Sequence, residues 1–235
     1  MYAPCVGQRA DGLVGEPRWL LDADRRLLEQ VSATLEIAAR AAGARLQCHL
    51  GCVECCLGPF PISALDALRL RRGLAGLEGR DPARAADVRR RAEAACRDLG
   101  WALPGGERER DRFFRRHATL SCPVLDRHTR GCVLYDFRPM TCRTFGPPVR
   151  MAEEDLPPCE RCFEGATPEE IDRCRLEPDA EGFEDAILVR LERSEGAAGE
   201  TLVALALAPG GRGQAAQART RASLPAGTVG PDRSR

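Results

Sequence analysis

Cys48-His49-Leu50-Gly51-Cys52-Val53-Glu54-Cys55-Cys56 places four thiols in nine residues. A second set follows at Cys122, Cys132 and Cys142, and Cys159-Glu160-Arg161-Cys162 adds a further pair. One Cys-x-x-Cys is a weak signal, but repeated clusters at ligand-like spacing predict thiolates gathered to hold a metal ion or an iron–sulfur cluster. The fold expected around them is mainly α: a small helical domain with irregular loops organised around a cysteine-ligated metal centre.

The bulk composition narrows the context. No uncharged apolar stretch of spanning length occurs in the 235 residues, and the first eleven hold no signal-peptide core. This predicts a cytoplasmic protein with no membrane partner. In a reducing compartment, twelve cysteines are better explained by metal than by a disulfide framework. Thirty-five basic and 35 acidic residues leave a formal net charge of zero, which argues against nucleic acid as a partner. Every basic residue is arginine and none is lysine, a bias that reads as codon usage rather than phosphate recognition.

Outward from the clusters, helical periodicity dominates. Leu20, Leu21, Leu27, Leu28, Val31, Leu35 and Ala38 form one face of a helix from Pro17 to Ala42, with Gly43 at its stop. Ser63-Ala64-Leu65-Asp66 reads as a capping box opening a helix to about Leu74. Asp81-Pro82 starts another, with Ala85, Val88, Ala92, Cys96 and Leu99 inward and Gly100 at the exit. A charged helix is expected over Glu107–His117, a strand-like run at Val133-Leu134-Tyr135, and a helix start at Thr167-Pro168-Glu169-Glu170 carrying Ile171, Cys174 and Leu176 inward. The expected organisation is an N-terminal extension and amphipathic helix (1–45), a cysteine-cluster metal-binding domain (46–165), a C-terminal helix and apolar segment (166–208), and a disordered tail (209–235).

With these residues laid out, the chain resembles the YkgJ-like cysteine-cluster family, a zinc- or iron-chelating domain built on a Cys-x-x-Cys-x-x-Cys-Cys motif. Cys122-Pro123-x-Leu125, Gly131-Cys132 and Tyr135-x-x-Arg138-Pro139-x-x-Cys142-Arg143-x-Phe145 are similar to the family's downstream signature. The departure lies at the front, where three residues rather than two separate Cys48 from Cys52. The resemblance implies metal or iron–sulfur binding without naming a substrate or reaction.

The candidate metal ligands are Cys48, Cys52, Cys55, Cys56, Cys122, Cys132, Cys142, Cys159 and Cys162. They suffice for two four-sulfur sites, or for one cluster with spare thiols, and leave open whether Cys159 and Cys162 join the central site. Adjacent Cys55 and Cys56 diverge too strongly to bind one metal easily. The expected cofactor is an iron–sulfur cluster, [4Fe–4S] first, or zinc, since both favour thiolate. Four thiolates around Zn²⁺ or a [4Fe–4S]²⁺ core carry a charge of about −2, and Arg138 and Arg143 beside Cys142 are the expected cofactor-contacting cations. Cys96 and Cys174 read as structural, Cys5 as a bystander, His49, His117 and His128 as solvent-facing, and Tyr135 and Phe145 as packing under the loop.

Cys48-x3-Cys52-x2-Cys55 also coincides with the cysteine triplet by which radical-SAM enzymes resemble one another, with Gly105-Gly106-Glu107 similar to their methionine-contacting motif. The repeated strand–helix pattern of such a barrel is missing from the sequence. No phosphate loop, nucleophile elbow or zincin motif supports hydrolase or kinase chemistry. Two function classes stand. One is a metal or cluster supporting redox or modification chemistry, as an iron–sulfur oxidoreductase or modification-enzyme component acting on a protein or small molecule. The other is a zinc-stabilised interaction module without catalysis.

Overall fold

The computed structural model describes residues 16–151 and 154–209. Cys5 and all of the expected tail except Pro209 lie outside the described residues. In chain order the elements are α1 (Arg18–Ala42), β1 (Pro61–Ser63), α2 (Ala64–Arg80), α3 (Pro82–Leu99), α4 (Glu107–Arg116), β2 (Leu125–Asp126), β3 (Gly131–Cys132), α5 (Met140–Thr144), β4 (Val149–Met151), β5 (Glu154–Leu156), α6 (Pro168–Asp172), α7 (Phe183–Glu195), β6 (Glu200–Leu202) and α8 (Val203–Leu207). The mainly α expectation holds. Strands among the described residues occur only as two-stranded antiparallel pairs, β1 with β6, β2 with β3 and β4 with β5. No described helix is long and apolar enough to cross a membrane.

The helices form where periodicity and caps agree. Asp81 accepts the Arg84 amide at 2.9 Å, Pro82 occupies the first turn, and Gly100 leaves α3 in the left-handed conformation at φ 73°. Its face of Ala85, Val88, Ala92, Cys96 and Leu99 is buried, Cys96 fully. That face packs on Leu70, Leu74 and Leu77 of α2 and on the wholly buried α8. Pairing of β1 with β6 in the register Ile62↔Thr201 delivers α8 there. A second core joins Leu20, Leu27 and Val31 of α1, Leu65 of α2, Met140 of α5 and Ile187 and Leu191 of α7.

Local expectations change, among them the helix begun at Thr167, which ends at Asp172 so that buried Cys174 and Leu176 lie on the segment beyond it. Ser63 caps α2 by accepting the Asp66 amide at 3.2 Å, but the Asp66 carboxylate does not turn back to complete a box. It binds buried Arg69 and the Met140 amide instead. The Val133-Leu134-Tyr135 run is not a strand. The pair lies just before it, at Leu125↔Cys132 and Asp126↔Gly131, because Asp126 accepts the His128 and Thr129 amides and turns the chain into a hairpin. Tyr135–Phe137 is then a 3₁₀ turn. Finally, α7 goes unforeseen in the sequence reading, although Asp179 accepts the Phe183 and Glu184 amides at 2.8 and 2.7 Å and Gly196 closes its end at φ 66°.

Candidate metal centre

Short backbone bridges bring the distant cysteines together. The Cys122 amide donates to the Cys56 carbonyl at 2.8 Å and the Gly58 amide to the Leu120 carbonyl at 2.8 Å, laying the second cluster along the first. On the other side, the Phe163 amide donates to the Arg45 carbonyl at 2.9 Å and the Cys159 amide to the Gly146 carbonyl at 3.0 Å. That seats the Cys159–Cys162 turn beside Cys48. Phe163 holds a left-handed φ of 61° while 4% exposed, a strained conformation fixed by its buried ring.

Two groups of thiols result. In the first, Cys48 lies near Cys162, Cys52 and Cys159, with its thiol turned to the Phe145 carbonyl at 3.9 Å. Burial, reinforced by these neighbours, pushes the Cys48 thiol up to about 12. In the second, Cys55, Cys122, Cys132 and Cys142 interact mutually. Burial there pushes Cys122 up to about 12, Cys132 up to about 11, and Cys142 well above the usual thiol value. Cys56 lies against Cys55 in this group, and that neighbour, assisted by Arg138, holds Cys55 down to about 7 while Cys56 is raised. Cys159 and Cys162 therefore join Cys48 and Cys52 rather than a single central cluster. The Cys48–Cys52–Cys55 triplet is split between the two groups, and Gly105 and Gly106 merely lead into α4. This arrangement and the lack of a strand–helix barrel among the described residues remove the basis for the radical-SAM comparison.

Both groups face one cavity of about 520 Å³, lined by every candidate thiol except Cys56 and Cys122 and by Arg130, Arg138, Arg143 and Arg161. Arg161 is paired with Glu54 at 2.9 Å. Arg138 and Arg143 instead bind backbone. Arg138 Nε donates to the Tyr135 carbonyl at 3.0 Å, Arg143 Nε to the Arg138 carbonyl at 3.0 Å, and Arg143 Nη2 to the Asp136 carbonyl. Burial, followed by repulsion from Arg69 and Arg138, lowers Arg143 to about 10. Two guanidiniums held by carbonyls beside seven thiols suit a cavity that gains negative charge.

Tyr135 does not pack under the loop. It is 46% exposed, with the Arg138 guanidinium stacked 3.7 Å from its ring centroid. Phe145 meets Phe60 edge-on at 6.2 Å. His49 and His128 are exposed as expected, whereas His117 is half-buried, its ring tilted 56° against Phe113 at 5.0 Å. Cys174 is buried with Phe163 and Ala42. Sequence reasoning missed Gly146, where a Cβ would stand 2.7 Å from Cys48 Sγ. Its signal was only the Gly-Pro-Pro run that follows Phe145.

The donors fit a thiophilic metal by chemistry, four thiols to a group. Among the described residues, no three His, Cys, Asp or Glu side chains already stand in an array that holds an ion.

Residues 47–163, about half the chain, match the family model described as "CxxCxxCC: Putative zinc- or iron-chelating domain". The chain belongs to this family. No significant match to a curated protein or to a solved structure was found. The CxxCxxCC domain thus runs from the end of the turn after α1 to Phe163 and contains all nine candidate thiols, Arg138 and Arg143.

Proposed function

We propose that the protein binds metal at two four-thiol sites, Cys48/Cys52/Cys159/Cys162 and Cys55/Cys122/Cys132/Cys142, with Cys56 adjacent to the second. The observation supporting an iron–sulfur cluster is the size of the shared cavity. The open cavity that seven of the thiols line holds about 520 Å³, room for more than a lone ion, when one water takes roughly 30 Å³ of liquid. Arg138 and Arg143 balance the thiolate charge there and position the loop that carries Cys142. A bound cluster supplies one-electron transfer. The chain's own residues set the surrounding charge and the burial that tunes it. Redox or modification chemistry is accordingly the functional class favoured, in the cytoplasm, with a protein or small molecule as substrate.

A structural zinc ion in the second group is the second reading, supported by Cys122, which does not line the open cavity that Cys55, Cys132 and Cys142 line. Anaerobic purification with iron, zinc and acid-labile sulfide quantitation, alongside a visible spectrum, separates the two. Matched iron and sulfide in a brown protein are expected. Stoichiometric zinc in a colourless protein would replace the cluster reading with an interaction module. Cys56→Ser should leave the metal content unchanged, whereas Cys132→Ser should remove the second group's share.

A further inference from the structure

Beside the thiol cavity, and sharing Glu54, Phe145, Cys159 and Arg161 with it, lies a larger cleft of about 1060 Å³. It opens between α7, the β1–β6 pair and the segment that follows α5. Its volume is at the upper end for small-molecule sites, which are concave and mostly apolar with few polar groups. Phe60, Ile62, Phe145, Leu156, Leu188 and Val189 supply an apolar lining. The charge is one-sided, since among the described residues seven carboxylates face the cleft against one cation, Arg161, already paired with Glu54.

Glu54, Asp66 and Glu200 are held by Arg161, by Arg69 and, at 2.8 Å, by Arg110. Glu184 does not form an ion pair. It sits at the start of α7, accepts only the Ser63 hydroxyl at 3.3 Å, and is pushed up to about 7 by burial and then by the nearby Asp66 charge. Asp185 follows it at the exposed rim. A half-buried carboxylate facing an apolar wall is stabilised by a cation that brings its own apolar surface, and an anion would meet repulsion from most of the charged side chains in the lining.

We propose that this cleft binds an amphipathic organic cation, an ammonium or guanidinium borne on an apolar body, with Glu184 and Asp185 facing the charge and Leu188 and Val189 covering the body. The cleft is independent of what the thiols hold, but the shared wall at Cys159 places its occupant next to the first thiol group.

The test titrates the full chain with rhodamine 6G, a cationic dye with an apolar ring system, and with fluorescein, its anionic analogue, by fluorescence anisotropy. Saturable one-to-one binding of rhodamine 6G, at least tenfold tighter than fluorescein, is expected. Glu184→Gln should weaken it about threefold to fivefold, the range for one partly exposed charge. Val189→Arg, on a side chain 48% exposed and so tolerated by the fold, should weaken it at least tenfold. Ile37→Arg, on an exposed apolar residue of α1 outside the cleft, should leave it unchanged. Hexylamine that displaces the dye assigns a free amine, and a lysine-containing hexapeptide that displaces it assigns a basic side chain. Equal affinity for both dyes, no binding, displacement by neither competitor, or an unchanged affinity in Val189→Arg would each overturn the proposal.

Discussion

Gly146 is where one hydrogen atom in place of a methyl determines whether Cys48 reaches its group. Its φ of 130° disfavours any L side chain, and an added Cβ would lie 2.7 Å from Cys48 Sγ and 3.1 Å from Leu46 Cδ1. Gly146→Ala should destabilise the protein by about 1–3 kcal/mol and remove the first group's metal while the second group's remains. Metal analysis beside a denaturation curve reads both, and a loss of both shares equally would show that the two groups are not separate. The cysteines themselves were legible from spacing, because ligand clustering leaves a pattern along the chain. Their division was not. It depends on backbone hydrogen bonds between Cys122 and Cys56 and between Phe163 and Arg45, which join residues far apart in sequence.

Among the elements, α2 ties the helical core to the cysteine loops. Its Asp66 receives the Met140 amide at 2.9 Å at the start of α5, the helix that carries Cys142, and pairs with Arg69, which reaches Asp24 of α1 at 2.5 Å. Arg69 is 1% exposed. Asp66→Ala should cost about 3–5 kcal/mol, as expected when one member of a buried ion-pair network is removed, measured by urea unfolding. Gly73, also on α2, lies under the Phe137 ring, and an added Cβ would stand 2.5 Å from Phe137 Cγ. Alanine ordinarily strengthens a helix by about 1 kcal/mol over glycine. Gly73→Ala should instead destabilise by about 1–3 kcal/mol and weaken metal binding by shifting the turn before Arg138. A more stable variant with unchanged metal content would show that Phe137 yields freely. The helix itself was readable from Ser63 and its leucines. That an arginine lies at its centre was not, since charge in a periodic pattern reads as the solvent face until α1 is packed against it.

Across the molecule, burial sets opposite pH dependences for the metal-free and metal-bound states. Without metal, the raised thiols of Cys48, Cys122 and Cys132 are protonated in the fold at a pH where unfolded cysteines, near 9, already ionise. The folded state then binds more protons than the unfolded one, so stability is fully present below pH 9 and is lost as pH rises toward the folded values of about 11 to 12. A fully buried thiol would contribute about 1.4 kcal/mol per pH unit, and these half-buried ones contribute less, as solvent screens them. With metal bound, the sign reverses, since protons compete with the metal for thiolate and loading falls as pH falls. Urea midpoints from pH 6 to 10.5, with and without prior chelation, should show the chelated protein weakening above pH 9 and the loaded protein weakening at the acid end. If the two curves run parallel, the buried thiols are not the groups that hold the metal.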